Sequence, residues 1–521
     1  MKLLPSKLFR KVTPSHQLVM HTLPAELLIE IARHLTWTID VLHFSLTASR
    51  LRTILLPEMY KTVFLFGTAW VGALEMFARR PELCAHIRTL EIDLFYEALR
   101  PELQEEVDID NIAALIEQVS AGLLNLQTFE WSGERLPPDH LFLTLRNTCP
   151  RLKNLYLYAN DIIFDPASEL FKFDDLEGFT LRIEYDVKAA EPAPFQDIPI
   201  QLGDMLLQRC PRLDCLSIRL RSMPNMWGQE IDRLLSGVWP KLELFHLDIE
   251  VIDSDPITLW PSISSLSTFF AAHSCLTDLG LTAYAVFPTN VLSGELPPCF
   301  GANASLKLTC LEGLVQHAAE LPSPEALGEL VLGTVVTETS LDRTLPVLRG
   351  LTALKELVIE FSDIDASTAV RQIVSACPSL TTLHVKFYKT AFDSKQLRDF
   401  SAQLKGLSRL QSLIFDKVYS ASGVTLLKTA LMLLSDNPLL ADICIINFED
   451  KRWHQRGHYL VLTDRKGRRF VSARESGLDR GYPQGKFGSL YPRGKFSRTF
   501  RYALGRDVLG SIPRKFKRMR R

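Results

Sequence analysis

No stretch of this 521-residue chain approaches the ~18–20 consecutive apolar residues that a membrane-spanning helix needs. The opening MKLLPSKLFRKVTPSHQLVM lacks the apolar h-region of a secretory signal, so neither export nor membrane insertion is expected. Acidic residues are missing up to Glu26, which leaves residues 1–20 as a basic arm, read as flexible. Paired-cysteine motifs are missing too. Nine cysteines lie scattered between Cys84 and Cys444 with no CxxC, an odd number that argues for buried thiols in a reducing compartment, cytoplasmic and/or nuclear. There is no Walker-type phosphate loop, no HExxH and no GxSxG. His454 and His458 stand at i, i+4 with Cys444 upstream, but a zinc centre requires four ligands. The expectation is a non-catalytic chain with no cofactor and no metal.

What is present is ordinary in bulk and uneven in distribution. Hydrophobic residues make up 46% and charged residues 23%, values of a globular protein, and the length permits about three domains or one long repeat array. The net charge of −1 conceals a split: residues 451–521 carry 21 Lys+Arg against 4 Asp+Glu, leaving 38 against 56 in residues 1–450. An acidic body thus precedes a basic extension.

Residues 23–56, LPAELLIEIARHLTWTIDVLHFSLTASRLRTILL, hold three short helical patterns, too little chain to bury a full core alone. Pro24 suits a first helical position and Glu26 its first turn, where a carboxylate meets the positive end of the helix dipole. Leu27, Leu28, Ile31 and Leu35 follow at helical spacing. Asp40 opens a second helix with Val41, Leu42 and Leu46, and Leu51, Ile54 and Leu55 fall in a third that Pro57 is expected to end. This order resembles the F-box: Leu23, Pro24, Glu26, Leu27, Leu28, Ile31, Leu35, Asp40, Val41, Leu42, Ser45, Leu46, Ala48, Arg50 and Leu51 match its pattern. Ala48 stands where Cys is common and Leu51 where Trp is common; both keep the position small or apolar. The resemblance spans residues 21–66, about the first tenth of the chain. It implies docking onto the adaptor of an SCF-type, cullin-scaffolded ubiquitin ligase, with Leu23, Pro24, Leu27, Ile31, Leu42, Leu46 and Leu51 serving adaptor contact or the small helical core. The plain alternative is a three-helix cap on a larger domain.

From 67 to 448 an apolar–x–x–apolar–x–apolar pattern recurs. Clear copies begin at Leu152, Leu176, Leu213, Leu242, Leu276, Leu327, Leu354, Leu380, Leu410 and Leu440, weaker ones at Ile87 and Leu126, and a degenerate one at Asn303. From Leu276 the starts lie 27, 24, 27, 26, 30 and 30 residues apart, the period of leucine-rich repeats. One such unit cannot bury its own apolar face, but a stack can. The expected fold is α/β: a three-helix F-box, then a leucine-rich-repeat solenoid with a curved parallel sheet and helical or irregular return legs, then a basic low-order tail. Three copies are entered by Cys-Pro, at Cys149, Cys210 and Cys377, with Asn437-Pro as a variant. Proline punctuates the step from return leg to strand, so these cysteines read as structural. The Cys-Pro-x-Leu-x-x-Leu-x-Leu pattern also resembles repeats that follow an F-box.

Polar strand positions of such a solenoid face its concave side. Here they include Tyr156, Tyr158, Arg182, Glu184, Arg219, His246, Asp248, Glu250, Glu360, His384, Lys386 and Asp416, a mixture of aromatic and charged side chains suited to a protein target. Longer spacings before Leu213 and Leu276 are expected to hold loops.

Beyond Phe448 the repeat stops. YLVLT, DRKG and RRFVSA read as a capping hairpin within 449–475. Residues 476–521 contain the tandem YPQGKFGSL and YPRGKFSRT and end in RKFKRMRR, and are expected to be disordered. This tail reads either as an electrostatic arm for nucleic acid, an acidic protein or a nuclear import receptor, or as a segment resting on the acidic body. The leading expectation is an SCF substrate receptor that binds an adaptor, a cullin scaffold and a protein target. The alternative is a leucine-rich-repeat scaffold whose tail binds nucleic acid or an acidic partner.

Overall fold

The computed structural model describes residues 23–35, 38–66, 69–94, 108–159, 164–183, 199–221, 227–251, 262–285, 299–300, 305–388, 392–418, 424–449, 452–463, 469–477 and 500–503. The chain divides into two compact units, 1–190 and 191–521.

The first unit opens with α1 (Ala25–Arg33), α2 (Thr38–Ser45) and α3 (Ser49–Tyr60). Leu28, Ala32, Val41, Leu51 and Leu55 close into a core of their own, with Leu23, Ile29, Leu35, Phe44 and Ile54 packed at its rim. Pro24 is the cap of α1 rather than its first helical residue. Pro57 lies inside α3 instead of ending it. Pro57 and Thr53, four residues before it, are both exposed, so the carbonyl that proline leaves unpaired faces solvent.

Five parallel strands follow: β1 (Thr62–Phe66), β2 (Thr89–Asp93), β3 (Thr128–Gly133), β4 (Asn154–Ala159) and β5 (Gly178–Ile183). β1 pairs with β2 from Thr62↔Thr89 onward, which moves 62–66 out of the helical segment and into the sheet. The register continues through Thr89↔Thr128, Thr128↔Asn154 and Asn154↔Gly178. Side chains alternate across a strand. Leu90, Ile92, Phe129, Trp131, Leu155, Leu157, Phe179 and Leu181 are therefore buried together. Return helices Ile109–Ser120 and Asp139–Thr148 cover them with Ile112, Ile116, Leu141, Phe142 and Leu145.

The second unit carries the parallel strands β6 (Cys215–Arg221), β7 (Leu244–Val251), β8 (Asp278–Ala285), β9 (Cys310–Gly313), β10 (Glu329–Val336), β11 (Glu356–Phe361), β12 (Thr382–Phe387), β13 (Ser412–Val418) and β14 (Asp442–Glu449). The degenerate copy placed at Asn303 sits elsewhere. Leu279 and Leu330 both align with Leu311, so the repeat begins at Leu308 and its strand is β9. Leu306 and Leu308 are buried, but they precede the strand.

Return helices Ile263–Ala272, Glu338–Gly350, Ala366–Ala376, Ser394–Leu404 and Leu426–Asp436 start on side-chain caps from Ser262, Thr337, Asp365, Asp393 and Thr425. Cys149 and Cys377 are buried at helix C-caps, and the Cys377 thiol donates to the Leu348 carbonyl at 3.7 Å. Burial pushes these thiols up, Cys149 to about 11 and Cys377 to about 12. Asn437 holds the same place with its amide, donating to the Leu433 carbonyl at 3.0 Å.

Chain direction then reverses. β15 (Arg452–Thr463) runs antiparallel to β14, and β16 (Arg469–Gly477) antiparallel to β15. The tail differs from its sequence reading at one place: Phe500–Ala503 is a strand, β17, paired with β16 over Phe470↔Ala503 to Ala473↔Phe500. Its FRYA sequence is compatible with a strand, whereas the motifs YPQGKFGSL, YPRGKFSRT and RKFKRMRR lie outside the described residues.

Candidate functional site

The helical segment sorts its candidate residues by burial. Leu28, Ser45 and Leu51 are fully inside, which gives them the core share of the expectation rather than contact. Ser45 Oγ donates to the Leu42 carbonyl at 2.7 Å, which satisfies its buried hydroxyl. Leu23, Ile31, Leu35 and Leu42 are half-buried, and Pro24, Glu26 and Arg50 are exposed. Arg50 donates to the Leu23 carbonyl at 3.2 Å, tying the start of α3 to the start of α1. Among the described residues of the segment, two large apolar side chains are left in solvent: Leu27 is 51% exposed and Leu46 61%. The segment therefore has its own interior and still presents uncovered leucines.

In the first unit the open face of the sheet, opposite the return helices, carries Tyr156 and Tyr158 on β4 and Arg182 on β5, with Tyr158 aligned to Arg182. Beside them is a group that the sequence did not single out. Glu91, Glu130 and Tyr156 share one rung, and Asp93, Ser132 and Tyr158 another. Burial, then the charges of Glu91 and Asp93, push Glu130 up to about 7. Glu91 is raised by burial and by Asp93. The missed signal is simple: acidic residues at the outward positions of the two weak repeats.

In the second unit the open face brings two sets of candidates together. Arg219 Nε lies 3.0 Å from Asp248 Oδ2 and its Nη2 3.9 Å from Glu312. Thr282 donates to the other Asp248 oxygen. Next to them His246 Nε2 meets Asp278 Oδ1 at 2.9 Å. Burial lowers the imidazole's proton affinity, but the Asp278 hydrogen bond and the charges of Asp278, Asp248 and Glu312 more than reverse this, so His246 titrates above its ordinary value.

Farther along, Lys386 Nζ lies 3.0 Å from Glu360 Oε1, and the Tyr388 hydroxyl donates to Glu360 Oε2 at 2.6 Å. The Lys386 ammonium stands 4.5 Å from the Tyr388 ring centroid, a cation–π distance. His384 Nε2 meets Asp416 Oδ2 at 3.2 Å. Asp416 is only 8% exposed, and its Oδ1 has no hydrogen-bond partner among the described residues. Of the remaining expectations, Glu184 lies outside the described residues and Glu250 lies in β7.

Among the described residues no group of three or more His, Cys, Asp or Glu side chains is placed to hold a metal ion. Among them, too, no helix is long and apolar enough to cross a membrane.

Parallel rungs with inward leucines and helical return legs define a repeat fold, with a short helical segment at its N-terminal side. No family model matches the chain, and no curated protein matches it. Among solved structures, the chain is similar to one described as the crystal structure of the Rad7 and Elc1 complex in yeast, at 14% identity and a TM-score of 0.37, covering 71% of this chain and 90% of that one. A likeness this distant assigns neither family nor activity.

Proposed function

We propose that the chain is the substrate-recognition subunit of an SCF-type ubiquitin ligase, non-catalytic itself, with α1–α3 docking the adaptor and the open sheet faces binding a protein target. The supporting observation is Leu27 and Leu46, exposed on a helical segment whose residues resemble an F-box and which already has a closed core. Large apolar side chains left in water gain by being covered, each contributing on the order of 1–2 kcal/mol to docking. The target's place is supported by the half-buried pairs Arg219–Asp248, Glu360–Lys386 and His384–Asp416, and by the unpaired Asp416 oxygen. Such a receptor works by raising the effective concentration of its target near a ubiquitin carrier, and needs no active site.

The test is co-purification of the adaptor and cullin with the full chain. Leu27→Asp with Leu46→Asp should abolish recovery while leaving thermal unfolding unchanged, because both residues are exposed. Undiminished recovery with that variant rejects the reading. The charge split favours a second reading, a scaffold whose 451–521 segment binds nucleic acid or an acidic partner. Salt-dependent nucleic-acid binding with no adaptor captured selects it.

A further inference from the structure

A cavity of 260 Å³ in the first unit lies at the N-terminal rim of the sheet, where the end of α3 meets the turns that lead into β2, β3 and β4. Its lining is strongly cationic: Lys61, Arg88 and Arg151 with the imidazole of His86, against a single carboxylate, Glu58. Glu58 is already engaged from outside. Arg33, which does not line the cavity, reaches it with Nε at 3.2 Å and Nη2 at 3.0 Å. Among the described residues, Lys61, Arg88 and Arg151 have no acidic partner.

The repeat register itself assembles this group. Arg88 and Thr89 donate their backbone N–H groups to the Lys61 carbonyl, and Gln127 and Thr128 donate theirs to the Arg88 carbonyl. Lys61 and Arg88 therefore occupy equivalent places on adjacent rungs, about 4.8 Å apart along the sheet. Arg151 is aimed by a relay: Asn125 Nδ2 donates to the Ala85 carbonyl at 2.7 Å, and Asn125 Oδ1 accepts from Arg151 Nη1 at 2.8 Å. Three like charges line one partly open cavity whose single carboxylate, Glu58, is held by Arg33.

We propose that this cavity binds a small, multiply charged anion of the phosphate type. Two guanidinium groups offer paired donors that match phosphate oxygens, and Lys61 adds a compact charge from the rung before Arg88. A nucleic-acid strand fits less well, because a polymer needs a continuous basic track and this one stops at the next rung. There the equivalent place is held by the neutral Gln127, and one rung further on Lys153 is occupied by Glu177 at 2.7 Å. A bound anion ties the end of α3 to the first repeats, and so fixes the helical segment against the sheet that follows it within the first unit.

Hydrogen exchange of the full chain with and without inorganic tripolyphosphate tests this, because it reports where binding occurs and separates the cavity from the cationic 451–521 segment. Slowed exchange is expected around residues 58–62, 85–90 and 125–128. Lys61→Ala with Arg88→Ala should remove that slowing and weaken the associated affinity about tenfold or more, and Arg151→Gln should weaken it in part. Lys395→Ala with Arg398→Ala, an exposed pair on the helix Ser394–Leu404 of the second unit, should leave it intact. Slowing confined to 451–521, no slowing at all, or slowing that survives Lys61→Ala with Arg88→Ala overturns the proposal. None of these outcomes depends on adaptor binding, so the receptor reading stands or falls separately.

Discussion

His246 Nε2 on β7 donates a 2.9 Å hydrogen bond to the Asp278 carboxylate on β8, one strand over and two residues short of its aligned partner Gly280. The glycine is a condition of the pair. A Cβ at residue 280 would lie 2.7 Å from the His246 ring, so only a residue without one lets the imidazole lie flat across the neighbouring strand toward Asp278.

This pair makes part of the stability pH-dependent. His246 titrates above its ordinary value when folded, because Asp278, Asp248 and Glu312 outweigh the effect of burial. The native state thus holds a proton that the unfolded chain releases first. The contribution is complete below about pH 6.5 and is lost as pH rises through the raised value. Asp278→Asn should cost on the order of 1 kcal/mol near pH 5.5 and progressively less toward pH 8.5, measured by urea unfolding. Gly280→Ala should show the same trend. A deficit independent of pH would contradict the pairing.

His317 has the opposite sign. It is buried beneath Gly313, where Leu314 N–H donates to its Nδ1 at 3.3 Å, and burial drives the imidazole down to about 4. Below about pH 6.5 the unfolded chain takes up a proton that the native state refuses, so stability falls as pH drops from there toward 4. His317→Leu should therefore gain on the wild type by roughly 2–3 kcal/mol between pH 7 and pH 4.5, whatever its stability at neutral pH. Parallel stability curves for the two proteins would show that the imidazole is not held neutral.

Lys417 is 2% exposed, on the inward side of β13 in line with Leu413 and Phe415, and burial pulls its ammonium down to about 8. At neutral pH the native state carries a poorly solvated charge. Lys417→Met keeps the length of the side chain and removes that charge, and should raise stability at pH 7 by about 1–3 kcal/mol, with the gain shrinking between pH 8 and 10. A lower melting temperature at pH 7 would mean that the ammonium contributes net stability.

Thiol reactivity checks the structural reading of the Cys-Pro positions. Cys275 is exposed, whereas Cys149, Cys210 and Cys377 are buried. Native protein treated with a thiol reagent should lose Cys275 quickly and the three Cys-Pro cysteines only on unfolding. Rapid modification of Cys377 in the native state would show that its helix end opens.

The rungs could be read from the sequence because one side of each strand must be apolar and the spacing repeats. Even the weak copies at Ile87 and Leu126 place Leu90, Ile92, Phe129 and Trp131 in the interior. The copy assigned to Asn303 slipped because Leu306 and Leu308 fill the fourth and sixth pattern positions in that phase, whereas the true phase puts Gly313 at the sixth; only pairing of Leu311 to Leu279 and Leu330 separates the two. Polar partners were out of reach for a related reason. His246 and Asp278 lie 32 residues apart, and the cations at Lys61, Arg88 and Arg151 meet only once the rungs are stacked. Which of the F-box-like leucines are interior was also hidden, since Leu27 and Leu28 are adjacent and helical spacing alone places both near the apolar stripe.

Parallel stacks invite further copies, because a last rung offers its amides and carbonyls to any chain of similar shape. Here the direction of travel turns back on itself after β14, and the last strand among the described residues, β17, is four residues long. A foreign rung would meet strands running the wrong way and too short a ladder to grip, which keeps a sheet built by repetition from growing between molecules.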